Sequence, residues 1–303
     1  MKPFVFSILL LALAGTGLPA AAGRMQGSFH LSPGSGAATL KVPGADGVSL
    51  GPDAEARFTG AVLNVQIPGE TSIRLQASNG VLMAVEGPGE FSVERFVQES
   101  WSGELPPYVE ADVEPTTSRM ILNLRRGRLL FDGSRQSVDS RLGVETPVGS
   151  IASGPAVWSI EIVYDPRNRI YNFSVKLKGG ELKFTDRRGR SYSLYQGQQL
   201  NGVGSSGSPA IEIGEMEDTG LEIFEVLDEQ KQLALEENLN WSDFAAKMIP
   251  LEEAAVAEEI STGALISDEG RRPITIDIVP RVPESTPFRA VIRPPSAYEE
   301  QLF

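Results

Sequence analysis

A two-residue rhythm runs through the middle of this chain. Between Val62 and Val203 apolar side chains recur at every second position in short runs, and Gly, Pro, Asn or Asp interrupts each run after about ten residues. A strand sends successive side chains to opposite faces, so this alternation gives one dry face and one wet face; a helix needs a period of about 3.6. Val62-Leu63-Asn64-Val65-Gln66-Ile67 and Ser72-Ile73-Arg74-Leu75-Gln76-Ala77 are such runs, Gly80 to Val85 and Glu90 to Val97 read as two more, and Trp158 to Val163 alternates strictly. The pattern predicts a mainly β fold, a β-sandwich or β-solenoid of stacked hairpins.

One stretch nearly repeats. Ile121-Leu122-Asn123-Leu124-Arg125-Arg126-Gly127-Arg128-Leu129-Leu130-Phe131 matches Ser174-Val175-Lys176-Leu177-Lys178-Gly179-Gly180-Glu181-Leu182-Lys183-Phe184. Each copy reads as a strand, a tight turn or bulge at Gly127 or Gly180, and a second strand, with glycine chosen for a positive φ. Repetition of this kind points to stacking of similar β units.

The flanks differ in character. Lys2, the apolar run Val5 to Ala14, the helix breakers Gly15, Gly17 and Pro19, and Ala20-Ala21-Ala22 read as a secretory signal peptide over 1–22. The run is short for a bilayer span, which takes about 20 residues, and an uncleaved N-terminal anchor is the alternative. Export to the periplasm or the exterior follows, with no transmembrane span after signal removal. Residues 23–60 are rich in Gly and Pro, 61–97 form a β-rich unit, 98–118 a Pro- and acid-rich surface loop, and 119–203 a second β region closed by a flexible link from Gly204 to Pro209. Two acidic helices are expected over 215–262, the first carrying Leu221, Phe224, Leu227, Leu233 and Leu235, the second Phe244, Met248, Leu251, Ala255 and Ile260, with Pro250 as a kink. A Pro-rich tail occupies 270–303, with Ile274 to Val279 as one extended piece.

Composition removes much chemistry. The chain has no Cys and a single His, so thiol nucleophiles and Cys/His zinc sites are excluded, and a Ser-His-Asp triad has only His30 to use. His30 lies near the mature N-terminus in Gly- and Ser-rich sequence, where a solvated, mobile residue is expected. Glycoside hydrolysis needs two carboxylates in one cleft; Glu145, Glu161 and Asp165 are the candidates, and strand alternation places such residues on wet faces. The reading is a protein that is not an enzyme and uses no metal or cofactor.

Net charge is −13 and unevenly distributed. Residues 119–190 hold 14 Lys and Arg against 7 Asp and Glu, a net +7, and residues 215–269 hold 16 acids against 2 Lys, a net −14. Either the acidic segment packs on the basic domain or each meets its own partner. Arg125, Arg126, Arg128, Lys176, Lys178, Lys183, Arg187, Arg188 and Arg190 are the candidate contacts for an envelope protein or an acidic polymer, either polysaccharide or lipid phosphate. Tyr171, Phe173, Tyr192 and Tyr195 interleave as stacking groups, but export and net negative charge argue against nucleic acid.

Residues 119–203 resemble the FecR domain. The resemblance is carried, in order, by Leu124-Arg125-Arg126-Gly127-Arg128-Leu129, Val144-Glu145-Thr146-Pro147-Val148-Gly149, the strand around Trp158, Val175-Lys176-Leu177-Lys178-Gly179-Gly180-Glu181-Leu182, and Leu194-Tyr195-Gln196-Gly197-Gln198. It covers about a third of the chain, judged as one ordered set of motifs. It implies a β scaffold for protein interaction or sensing in the cell envelope, with Gly127, Thr146, Pro147, Gly149, Trp158, Gly180 and Gly197 as structural positions and no catalytic residue. Two departures qualify it: Gly154-Pro155 stands where the family has Gly-Thr, and only Met1 to Phe4 precede the apolar run. The second implies a stand-alone exported form without the cytoplasmic anti-sigma segment of the signalling regulators.

Overall fold

The computed structural model describes residues 23–41, 48–101, 105–217 and 219–251. The expected signal peptide, the end of the second helix and the Pro-rich tail lie outside the described residues. The mainly β expectation holds, and the helices come late in the chain.

The turn-rich start forms β1 (Arg24–Gln26), β2 (Ser28–Pro33), β3 (Ala38–Lys41), β4 (Val48–Leu50) and β5 (Arg57–Gly60). β6 (Leu63–Ile67) and β7 (Ser72–Ala77) follow the predicted alternation, and β8 (Leu82–Glu99) joins two predicted runs in one strand. The second β region supplies β9 (Ser118–Asp132), β10 (Arg141–Thr146), β11 (Gly149–Asp165), β12 (Ile170–Asp186), β13 (Ser191–Tyr195) and β14 (Gln198–Ser205). Then come β15 (Ser208–Glu215), α1 (Thr219–Glu222), α2 (Glu225–Glu236), α3 (Trp241–Ala245) and β16 (Ile249–Pro250).

All strands belong to one sheet, with the path β15-β14-β12-β11-β10-β9-β8-β6-β3-β4. Pairing is antiparallel except between β9 and β10. β8 pairs with β9 from Leu82↔Asp132 to Gln98↔Ser118, so the sheet runs unbroken past the loop that separates the two β-rich stretches.

The long strands bend at bulges, and the glycines of the repeat mark two of them. In β9 the core side chains are Met120, Leu122 and Leu124, then Leu129 and Phe131; in β12 they are Phe173, Val175 and Leu177, then Leu182 and Phe184. Each set changes from even to odd numbering, or the reverse, across the glycine. A regular strand would send Leu124 and Leu129 to opposite faces, but a bulge inserts one residue and restores the buried face. The pairing register shifts beside Gly127 between Glu86 and Phe91, and beside Gly180 between Ser153 and Trp158. Gly127 has φ +99° and Gly180 φ +85°, a region that penalises any Cβ. Of the two alternatives for these glycines, the bulge is the one adopted.

Two cores result. The larger lies within the bent sheet and includes Phe91, Leu124, Trp158, Val175 and Phe184. The smaller lies between the sheet's other face and the helices, where Leu82, Ala84 and Leu130 meet Tyr108, Phe224, Leu227, Trp241 and Phe244. The helical stripe differs from the expectation: Phe224, Leu227 and Ala234 are buried, whereas Leu221 and Leu235 are 44% and 46% exposed. Gln230 takes a buried position and donates to the Leu75 carbonyl at 2.9 Å. In the described part of the second predicted helix, α3 ends at Ala245 and Ile249 and Pro250 pair with β1.

Three expectations need correction. His30 is not a solvated terminal residue: it sits in β2 at 4% exposure, its Nδ1 2.7 Å from Gln76 Oε1 and its ring 4.6 Å from that of Phe58. Sandwiched between β5 and β7, β2 is ordered by backbone pairing that Gly and Ser composition does not reveal. The loop between β8 and β9 is not wholly a surface feature. Tyr108 is fully buried, donates to the Ala77 carbonyl at 2.9 Å and stacks on Phe244 at 4.7 Å, and burial pushes its phenol well above the ordinary value. The link at Gly204 to Pro209 is the turn of the β14–β15 hairpin.

Candidate binding cleft

The bends bring distant strand ends together. Tyr164 and Tyr171 sit at one end of the β11–β12 hairpin; Thr146, Pro147 and Arg187 flank its other end. All five line one cleft of about 530 Å³, which Glu90, Asn123, Arg125 and Arg126 complete from β8 and β9.

Local turns fix the tyrosines and Arg187. Asp165 accepts from Asn168 Nδ2 at 2.7 Å and from the amides of Arg167 at 2.8 Å and Asn168 at 3.3 Å. These donors, the Asn168 side chain foremost, hold its carboxyl below the ordinary range. The turn they tighten sets Tyr164 opposite Tyr171, ring centroids 4.8 Å apart. At the other end Asp186 accepts from the amides of Arg188 and Arg190, both at 2.9 Å, and from Arg190 Nε at 2.7 Å. Burial alone would raise the Asp186 pKa, but these donors lower it below the usual value. That turn projects Arg187 onto the Thr146-Pro147 corner, where it donates to both carbonyls and stands 3.8 Å from Glu145. Thr146 locks the corner by donating to the Gly149 carbonyl at 2.6 Å.

Arg125 pairs with Glu90 at 3.2 Å yet leaves 68% of its side chain exposed. Arg126 is exposed and makes no ion pair among the described residues. Three guanidiniums therefore surround an aromatic pair, Arg125 beside Glu90, Arg187 beside Glu145 and Arg126 with no ion pair among the described residues. The tyrosine hydroxyls have no hydrogen-bond partner among the described residues. Such a surface attracts a negatively charged group and offers ring faces beside it.

The rest of the expected basic patch does not gather here. Arg128 is clamped between Glu86 at 2.8 Å and Glu161 at 3.1 Å; burial lowers its pKa, and the two carboxylates more than reverse that. Lys178 lies 3.7 Å from Asp228 and above the Phe224 ring. Arg188 donates to the Gly207 carbonyl at 2.9 Å, tying one turn to the next, and Arg190 is held by Asp186. Lys176 and Lys183 are half-buried on outward positions of β12, away from the cleft lining. Of the expected stacking groups only Tyr171 lines the cleft: Phe173 is in the core, Tyr192 leans on Phe184, and Tyr195 is 60% exposed elsewhere.

Tyr164, Glu90 and Asn123 escaped the sequence reading. Tyr164 was within reach of it, since Asp165-Pro166-Arg167-Asn168 is a turn and residues flanking a hairpin turn face each other. The motif positions Trp158, Gly149 and Gly197 serve the scaffold: Trp158 is fully buried against Phe131, and Gly149 and Gly197 adjoin strand-connecting turns. Glu145, Glu161 and Asp165 do not converge; they serve Arg187, Arg128 and the β11–β12 turn respectively. Among the described residues no group of three or more His, Asp or Glu is placed to hold a metal ion, and no helix is long and apolar enough to cross a membrane.

No protein-family model matches the chain, and no curated protein does. Solved structures with partial likeness include two from Parabacteroides distasonis, each described as a "putative anti-sigma factor". One has 8% identity and a TM-score of 0.36 over 54% of this chain; the match spans 64% of that protein, less than two thirds of its length. The other has 11% identity and a TM-score of 0.33 over 66% of this chain and 92% of that protein. Likeness at this level assigns neither family nor activity.

Proposed function

We propose that this chain is a FecR-like, non-catalytic interaction module of the cell envelope, exported by its N-terminal segment, and that it holds an acidic group of its partner in the Arg125–Arg126–Arg187 cleft. The observation that carries the reading is the charge imbalance there: three guanidiniums against two carboxylates, Glu90 beside Arg125 and Glu145 beside Arg187, with Arg126 making no ion pair among the described residues. Arg187 is held in place by the Thr146 and Pro147 carbonyls, so its charge is presented without reorganisation. The acidic helices belong to the body, seated on the sheet by the smaller core.

The test is retention of the secreted chain on a sulfated polysaccharide matrix across a salt gradient. Charge reversal in the double variant R125E/R126E should lower the eluting salt concentration markedly, because each cation contributes through screened attraction. Reversal of Lys176 and Lys183, outside the cleft, should shift it much less. Equal shifts from both pairs would mean that bulk charge and not the cleft is responsible. Export is tested separately with a C-terminal alkaline phosphatase fusion, active only if residues 1–22 deliver the chain across the membrane.

A further inference from the structure

We infer that the ligand of this cleft is an acidic saccharide, whose sugar rings lie against Tyr164 and Tyr171 while its carboxylates meet Arg125 and Arg126. The inference rests on the cleft being the working surface, and it names the chemistry that surface selects.

Shape and lining narrow the choice. A volume of about 530 Å³ falls in the range of about 300–1,000 Å³ usual for small-ligand sites. A bare anion such as phosphate would use the guanidiniums and leave the ring pair idle. A lipid surface would call for aliphatic side chains at the rim, and Pro147 is the one aliphatic residue in the lining. An acidic peptide is best held by adding its backbone to a free strand edge, but at the cleft the one-sided stretches, residues 124–126 of β9 and 163–165 of β11, are too short for it, and β12 is paired on both sides. A uronic acid polymer meets every feature. Its rings have apolar C–H faces suited to tyrosine, its carboxylates match the fork of arginine, and its hydroxyls suit Glu90, Asn123 and the tyrosine hydroxyls. Asn123 already donates to Glu94 at 3.0 Å, which leaves its amide oxygen to accept from a sugar hydroxyl.

The two tyrosines divide the proposal from simple charge attraction. They carry no charge and pair across the hairpin at 4.8 Å, Tyr164 being 42% exposed. Removing one ring changes the stacking surface without altering the field.

The experiment is calorimetric titration of the mature protein with trigalacturonate, maltotriose, inorganic phosphate and phosphatidylglycerol vesicles. Trigalacturonate should bind, the neutral trisaccharide and phosphate should bind at least tenfold more weakly, on the order of 1.4 kcal/mol, and the vesicles should not bind. Tyr164→Ala should weaken trigalacturonate about tenfold and Tyr164→Phe should retain most of the affinity. Equal thermal melts of both variants and the parent would establish that the fold is intact; Tyr171→Phe and Arg126→Gln provide independent variants if Tyr164→Ala unfolds. Equal affinity for maltotriose, binding of vesicles alone, or an unchanged Tyr164→Ala would overturn the saccharide assignment. If R125E/R126E still lowers retention on the sulfated matrix in that case, the cleft reading stands and only the saccharide falls. If neither variant changes anything, both fall.

Discussion

Replacing Gly180 by alanine should cost far more than replacing Gly179, one residue away. At Gly180 the backbone has φ +85°, where an L-residue pays about 1–2 kcal/mol. A Cβ there would collide with the Pro155 carbonyl oxygen and stand 2.9 Å from both Cα and Cβ of Ala156, in the strand opposite. These atoms belong to a paired backbone and cannot swing aside, so overpacking adds about 1–3 kcal/mol. The expected total is about 2–5 kcal/mol, a large share of a native stability of about 5–15 kcal/mol. At Gly179 φ is ordinary and a Cβ meets nothing within 4 Å, so Gly179→Ala should stay within about 0.5 kcal/mol. Urea unfolding followed by tryptophan fluorescence reads the difference. With a slope of about 3 kcal/mol per molar, Gly180→Ala should bring the midpoint down by about 1 M. Equal midpoints for the two variants would refute the bulge as the reason for glycine in the repeat.

Burial predicts that His30→Ala lowers stability by about 2–4 kcal/mol, since it removes a packed ring and strands Gln76; a thermal melt within a degree of the parent would contradict it. Phe244→Ala should cost about 3–5 kcal/mol and speed proteolysis at α2 and α3, because Phe244 joins Tyr108, Phe58 and Trp241 in the smaller core. Two buried acids should act on stability in opposite directions. Burial would raise Asp132, but Lys231 at 2.7 Å and the Ser134 donors outweigh it and hold the carboxyl below its ordinary value. Its stabilisation is present above about pH 3.9 and lost as pH falls through the lower folded value, so Asp132→Asn should remove part of the acid lability. Glu114 is held above its ordinary value by burial, only partly offset by Ser140, the Ser137 amide and Ser118. Its contribution is full below about pH 4.3 and lost as pH rises through the higher folded value, so Glu114→Gln should flatten that limb of a pH–melting curve.

What the sequence disclosed of the fold was the short-range part. Alternation found β6, β7 and the buried face of β11, since a two-residue period is written in neighbouring residues. The repeat disclosed more than alternation alone: Leu124 and Leu129, five positions apart, share a face only if an extra residue intervenes, and the glycine between them is where it does. The pairings of β2 with β5 and β7 were not visible, because strands of ordinary polarity such as Ser28-Phe29-His30-Leu31-Ser32 declare a partner only through distant residues. The cleft was half visible for the same reason. Arg125, Arg126 and Arg187 stood out by charge, and Tyr171 by type, but their convergence depends on bends in strands whose ends are far apart in the chain.

The opposition between the basic centre and the acidic C-terminal segment has a less direct cause than charge pairing. The described part of the acidic segment does pack on the β body, yet among the described residues few of its acids reach a base: Asp228 meets Lys178, Glu229 meets Arg74 at 3.3 Å, and Glu237 stands 3.5 Å from His30. The shortest ion pair across that boundary has the reverse sense, Lys231 of α2 on Asp132 of the sheet. Phe224, Leu227, Ala234, Trp241 and Phe244 hold the helices, and exposed pairs such as Arg74–Glu229 add at most about 1 kcal/mol each. Within the sheet itself Arg125, Arg128, Arg187 and Arg190 are answered by Glu90, by Glu86 with Glu161, by Glu145 and by Asp186. The excess charge of each sign therefore stays on the surface at separate places. Acidic helices seated away from a cleft with spare guanidinium charge disfavour polyanions on their own part of the surface. Under the proposed reading of the cleft, a net charge of −13 would sharpen selectivity for it and does not argue against it.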